Sequence, residues 1–176
     1  RIHHNEERGI EIENSSDVII RDNVLFANGR VGTPSDAFNS GGIYILDGAD
    51  VKIYGNVMAW NRDGFAYIGG KRRDQNTGIE MYDNDIIVNG IDPGKQILTG
   101  WLLMGDELGS NIAHDNRYYY GGQQDDSGKE KFQWDRTQYE SLAEFSSTPG
   151  EENSRWLSSD EVRRLLSANN IPMKSP

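Results

Sequence analysis

The residues of this chain suited to acid–base chemistry are the carboxylates Glu7, Glu11, Asp36, Asp47 and Asp63. Cleaving a glycosidic bond takes two carboxyl groups roughly 5 to 10 Å apart, one to protonate the leaving oxygen and one to act as base or nucleophile. Asp63, Glu11 and Glu7 are the candidate catalytic residues; Tyr44, Arg62, Glu13, His3 and Asp36 are the candidates for holding substrate. Tyr44 is of the type that packs on the apolar face of a pyranose. Elimination on a uronic-acid polymer would need a base beside the substrate carboxylate and cations to stabilise an enolate-like intermediate. His3, His4, Lys71, Arg72 and Arg73 have the types for that route. Against each reading stands a plainer one, a solvated loop charge. No spacing of Asp and Asn singles out a calcium site, so no metal ligand or cofactor is assigned.

What must position these residues is a repeat. Four segments share one pattern: Asn23-Val-Leu-Phe-Ala-Asn28, Asn56-Val-Met-Ala-Trp-Asn61, Asn84-Asp-Ile-Ile-Val-Asn89 and Asn116-Arg-Tyr-Tyr-Tyr-Gly121. Their first asparagines are 33, 28 and 32 residues apart, and an apolar run led by Gly9, Gly42, Gly64 or Gly100 precedes each. A period near 30 built from short strands predicts a solenoid, in which each repeat buries its apolar face by stacking on the next. Each repeat reads as three strands. In the first, Ile10 and Ile12 alternate with Glu11 and Glu13. The inward column then runs through Ile43 and Ile45 to Phe65 and Tyr67, with Trp101 beyond. The second strands contribute Val18 and Ile20, Val51 and Ile53, and Ile79 and Met81, and the third strands Leu25, Met58 and Ile86.

Asparagine tolerates left-handed turns, and its amide can bond the backbone or another amide stacked above it. Asn23, Asn56, Asn84 and Asn116 are expected to form one ladder, and Asn5, Asn28, Asn61 and Asn89 another. These residues are structural.

The glycine-led strands, the Asp17-Val-Ile-Ile-Arg-Asp-Asn23 second strand and the asparagine turns resemble the right-handed parallel β-helix superfamily of pectate lyases, polygalacturonases and other polysaccharide lyases and glycoside hydrolases. The resemblance covers roughly residues 1–122. It implies an all-β, single-stranded parallel β-helix of about four coils, an extracellular setting and a polysaccharide or oligosaccharide as partner. In such enzymes the cleft runs along the outer face of the glycine-led strand. Here that face carries Glu11 and Glu13, then Tyr44 and Leu46, then Ala66 and Ile68, then Leu102 and Met104, so its polar end is the N-terminal one. Asn61-Arg62-Asp63-Gly64-Phe65 resembles the Asn-x-Asp-Gly-Phe segment of polygalacturonases, where the Asp is catalytic; the paired Asp, His-Gly and Arg-x-Lys elements of that family are absent. The leading expectation is a glycoside hydrolase, then a polysaccharide lyase, then a non-catalytic carbohydrate-binding β-helix.

Residues 123–176 leave the repeat, and within them Phe132-Gln-Trp134, Tyr139-Glu-Ser-Leu-Ala-Glu-Phe145 and Thr148-Pro-Gly-Glu-Glu-Asn-Ser154 resemble a tail found after the last coil of many carbohydrate-active β-helix proteins. Ser158-Ser-Asp-Glu161 is a capping box, and Val162, Leu165 and Leu166 make one apolar stripe, so a helix is predicted over 159–169. The tail is expected to cap the open end of the coils. At the other end, Arg1-Ile-His-His-Asn5 matches the close of a third strand, with His3 outward beside Phe26 and His4 beneath Ala27 and Trp60. The expected partner there is a set of earlier coils, on another polypeptide or on a fragment of the same protein.

Composition limits the alternatives. The net charge is −10, of which residues 1–122 carry −7, disfavouring nucleic acid or an anionic lipid surface as partner. No apolar run reaches the 18 or so residues of a membrane span, and without cysteine there is neither disulfide nor thiolate metal site.

Overall fold

The computed structural model describes residues 1–29, 41–62, 65–68, 77–88, 101–104, 110–120, 132–134, 137–139, 141–147 and 151–173. The chain enters as β1 (Ile2–His3) and then repeats a three-strand turn. The turns are β2 (Arg8–Glu13), β3 (Ile19–Arg21) and β4 (Val24–Phe26); β5 (Gly41–Leu46), β6 (Lys52–Tyr54) and β7 (Val57–Ala59); β8 (Phe65–Ile68), β9 (Glu80–Tyr82) and β10 (Asp85–Val88); and β11 (Trp101–Met104), β12 (Ile112–His114) and β13 (Arg117–Tyr120). Like strands stack on like in parallel, so the chain visits three sheets in rotation, which makes a parallel β-helix. Ile10, Ile43 and Phe65 stand in register, as do Ile12, Ile45 and Tyr67. Leu25, Met58, Ile86 and Tyr118 line up likewise in the third sheet.

The inward side chains merge into one core, from Ile20 and Leu25 through Ile43, Ile53, Met58, Met81 and Ile86 to Tyr118. The glycine at the head of the first strand has a steric cause. A Cβ on Gly9 would come within 2.5 Å of the Gly42 carbonyl oxygen and 2.9 Å of Leu25 Cδ2. Tight corners between strands put short polar residues at positive φ, Asp22 at 56°, Asp83 at 53° and Asp115 at 55° among them.

Both asparagine ladders form. Asn23 donates through its backbone N–H and its Nδ2 to Asn56 Oδ1 at 3.0 and 3.1 Å. Asn56 does the same to Asn84, and Asn84 to Asn116, at 3.0 to 3.1 Å. The second ladder joins Asn5 to Asn28 and Asn28 to Asn61; its expected fourth member, Asn89, lies outside the described residues. Asn28, Asn56, Asn84 and Asn116 are fully buried, so each amide satisfies backbone groups that water cannot reach.

Two expectations about the tail need correction. The stack does not stop at residue 122. After a gap in the repeat, β14 (Phe132–Trp134), β16 (Glu151–Glu152) and β17 (Arg155–Trp156) add a fifth, shortened turn to the three sheets. Between them lie β15 (Thr137–Tyr139), antiparallel to β14, and the short helix α1 (Leu142–Phe145). Phe132, Leu142 and Phe145 close the core here, with the Phe132 and Phe145 rings stacked at 4.8 Å.

The second correction concerns the predicted helix, which is α2 (Ser159–Ala168). It has the capping box at Ser158 and Glu161, but it does not close the end. Its stripe of Val162, Leu165 and Leu166 instead packs on the outer face of the third sheet, over Phe26, Ala59 and Ile87. The chain beyond it reaches the first turns, where Trp60 Nε1 donates to Pro172 O at 2.7 Å and Arg1 to Asn170 O at 2.9 Å.

Candidate functional site

The outward residues of β2 and β5 make the first-sheet face that the sequence singles out. Parallel pairing sets Glu11 opposite Tyr44 and Glu13 opposite Leu46. Arg8, at the head of β2, organises the group. Its Nη1 lies 2.9 Å from Glu11 Oε1 and 3.7 Å from Glu7 Oε2, and its guanidinium stands over the Tyr44 ring at 4.2 Å. Because both carboxylates meet one nitrogen, those two oxygens stand no farther apart than the sum of the two contacts, below the upper limit for glycosidic cleavage. Glu7 is largely exposed and Glu11 partly so.

Tyr44 is outward by register, yet 5% exposed, with Arg8 over one ring face. It does not offer the open stacking platform the sequence suggested. Burial pushes its phenol up; Arg8 pulls the other way, while Glu11, Glu13 and Asp47 add to the rise. Tyr44 is therefore a hydrogen-bond donor at neutral pH, not a base.

The remaining candidates scatter. His3 lies on the third sheet, in register with Phe26 and stacked on its ring at 4.6 Å. His4 occupies the left-handed corner that Ala27 and Trp60 fill in later turns. Neither imidazole joins the carboxylates of the first sheet. Arg62 follows the third strand, its N–H donating to Asn28 O at 2.9 Å. Asp47 takes the corner after β5 at φ 53°, one carboxylate oxygen buried with no hydrogen-bond partner among the described residues. Asp36, Asp63 and the Lys71, Arg72 and Arg73 run lie outside the described residues. Among the described residues no three carboxylates or histidines converge as metal ligands, and no helix is long and apolar enough to cross a membrane.

Sequence reasoning missed a second feature. On the outer face of the second sheet, Tyr54, Tyr82 and His114 stack at 4.9 and 5.1 Å with interplanar angles of 10° and 4°. Lys52 pairs with Glu80 alongside at 3.2 Å, and Glu80 and Asp115 both reach His114. Burial pulls the His114 imidazole down, but the hydrogen bonds it donates to Asp115 and Glu80 outweigh that, leaving it above the ordinary value. The signal was available: each ring sits two residues before a ladder asparagine. Face-to-face stacking covers the ring faces, so this column offers tyrosine hydroxyls, not a sugar platform.

A pocket of about 280 Å³ opens between α2 and the third sheet, walled by Arg117, Leu157, Glu161, Arg164, Leu165 and Ala168. It is remote in the fold from the first-sheet carboxylates, and most of its charge is already committed. Arg117 grips Asp85 at 2.7 and 2.8 Å, and Glu161 takes Arg155 at 2.7 Å. The chemistry favours the first-sheet face.

A model of the right-handed β-helix region matches residues 1–117, two thirds of the chain. The chain belongs to that family. The stacked sheets and asparagine ladders are this β-helix's own expression of it. No characterised protein and no solved structure matches it.

Proposed function

We propose that this β-helix binds a polysaccharide along the outer face of its first sheet and hydrolyses it outside the cell, with Glu11 and Glu7 as the carboxyl pair. The observation that carries the reading is their placement about Arg8, close enough together for that chemistry and accessible to solvent. Asp63, two residues before β8 in the sequence, is the third acid in this reading. Arg8 holds the pair in place until a sugar enters, and Glu13 and Tyr44 border the same strip. The test is release of reducing ends from a panel of neutral and acidic polysaccharides. Glu11→Gln and Glu7→Gln should each lower the rate about a hundredfold or more. Unchanged rates in both variants would dismiss this pair, and unsaturated, ultraviolet-absorbing products would transfer the reading to elimination.

A binding function without cleavage is the second reading. It is favoured by Arg8 spanning both carboxylates, since a guanidinium between two acids makes a stable polar surface without any reaction. Glycan binding that persists with no product, and that weakens in Arg8→Ala, would select it.

We infer also that the N-terminal end of the stack docks against a further coil of the same kind. Among the described residues, neither Asn5 Oδ1 nor Asn23 Oδ1 receives a hydrogen bond, whereas the next carbonyls in each ladder receive two from the asparagine before them. A partner that satisfies them must present paired amide donors at the same spacing, as a preceding turn does.

A further inference from the structure

His3 and His4 bring their Nδ1 atoms within 2.8 Å of one another, with the rings at 86°. Adjacent residues on an extended strand point their side chains to opposite sides. This pair converges because His4 leaves the strand at φ 60°, in the left-handed corner. Phe26 fixes both rings from one side, stacking on His3 at 4.6 Å and meeting His4 edge-on at 5.6 Å. Phe26 in turn lies beneath the Arg1 guanidinium, 5.2 Å from the ring centre, and Arg1 is tied to Asn170 O. Both imidazoles are exposed, and the ring orientation is set before any ligand arrives.

One proton on one Nδ1 can bridge two neutral imidazoles at this distance, and a metal ion can replace it. Two nitrogen donors in cis positions, with bonds of about 2.0–2.1 Å and an angle near 90°, stand about 2.9 Å apart, whereas a tetrahedral ion needs them about 3.3–3.4 Å apart. The observed spacing therefore suits square-planar or octahedral coordination, the preference of Cu(II) and Ni(II) with nitrogen donors, better than tetrahedral Zn(II). The geometry points to a divalent transition-metal site at the N-terminal corner of the stack, with His3 and His4 as cis ligands through Nδ1. Water completes the coordination sphere, since no third histidine or carboxylate joins them among the described residues. The site is on the third sheet and is independent of the carboxylates on the first.

The full chain, its amino terminus acetylated so that a free amine cannot chelate, is titrated with Cu(II) and followed by calorimetry and electron paramagnetic resonance. The expected result is one ion per chain, with hyperfine coupling to two imidazole nitrogens. His3→Gln and His4→Gln should each weaken binding about tenfold or more. His114→Gln, at the remaining histidine of the chain, should leave it unchanged. Circular dichroism of each variant confirms that the exposed substitutions leave the fold intact. Undiminished affinity in His4→Gln would overturn the site, and so would binding that appears with a free amine and disappears on acetylation.

Discussion

The two ends of the coil stack solve the same problem in opposite ways. At the C-terminal end the first ladder stops on substitutes for the next asparagine. Asn116 donates its backbone N–H to Ser154 Oγ at 3.1 Å, and its amide reaches Glu151 Oε1 at 3.4 Å. Tyr118 and Ser154 hydroxyls also donate to that buried carboxylate oxygen. Around it Phe132, Leu142 and Phe145 seal the core. At the N-terminal end nothing comparable is present among the described residues. Ile2, Ile10 and Ile12 are half-buried, and Asn5 and Asn23 sit on exposed or partly exposed rungs. A solenoid turn is self-sufficient only when something lies on both its faces. The terminated end is thus a finished surface, and the other keeps the hydrogen-bonding and apolar character of an interior one.

The largest expected contrast is in the core. Phe145→Ala removes a ring with no exposed surface from the closed end and should cost about 3–5 kcal/mol in urea unfolding. Ile10→Ala, at the open end, should cost under about 2 kcal/mol, because part of its surface already meets water. Equal losses would mean that the two ends are equivalent. The ladder gives a smaller version of the same contrast. Asn84→Ala strips a buried rung of its bonds to Asn56, Asn116 and Ile53 O, and should cost about 3 kcal/mol. Asn23→Ala should cost about 1 kcal/mol or less in the same measurement. A coil docked below would raise the Asn23 value toward that of Asn84.

This asymmetry was only partly legible in the chain. The ladders, the three strands of each turn and the inward columns follow from residues that repeat every thirty or so positions, and physical stacking forces such repeats into register. The capping box of α2 was equally plain, because its signal is local. The fifth turn was not, because β15 and α1 interrupt it and its strands are two or three residues long. Nothing in the sequence marks Glu151 over Glu152 as the buried terminator; only the pleat of β16 decides which faces inward. The resting place of α2 did leave a trace. Phe26, Ala59, Ile87 and Tyr119 are outward positions of the third strands and are all apolar or aromatic, which requires a cover. On the first sheet, register correctly turned Glu11 and Tyr44 outward, but a long arginine side chain laid across them is a choice of rotamer that periodicity does not encode.

The strap formed by α2 links the finished end to the open one, and its start is sensitive to acid. Glu161 is held down to about 2 by the Arg155 guanidinium first, then by the backbone and hydroxyl of Ser158. In the unfolded chain the same carboxyl titrates near its ordinary 4.5. A carboxyl depressed on folding stabilises the folded state fully above its unfolded value and ceases to do so as pH falls toward the folded one. The contribution should therefore be complete above about pH 4.5 and fade between there and about pH 2. Glu161→Gln should flatten that part of the stability–pH curve while leaving stability near pH 2 almost unchanged. Ser158→Ala should cost about 1 kcal/mol at neutral pH by removing the cap itself. Hydrogen exchange reports where the loss falls. Faster exchange confined to α2 and to the amides at Ala27 and Trp60 would mean that the strap opens alone, whereas faster exchange at Tyr118 would mean that it also steadies the closed end.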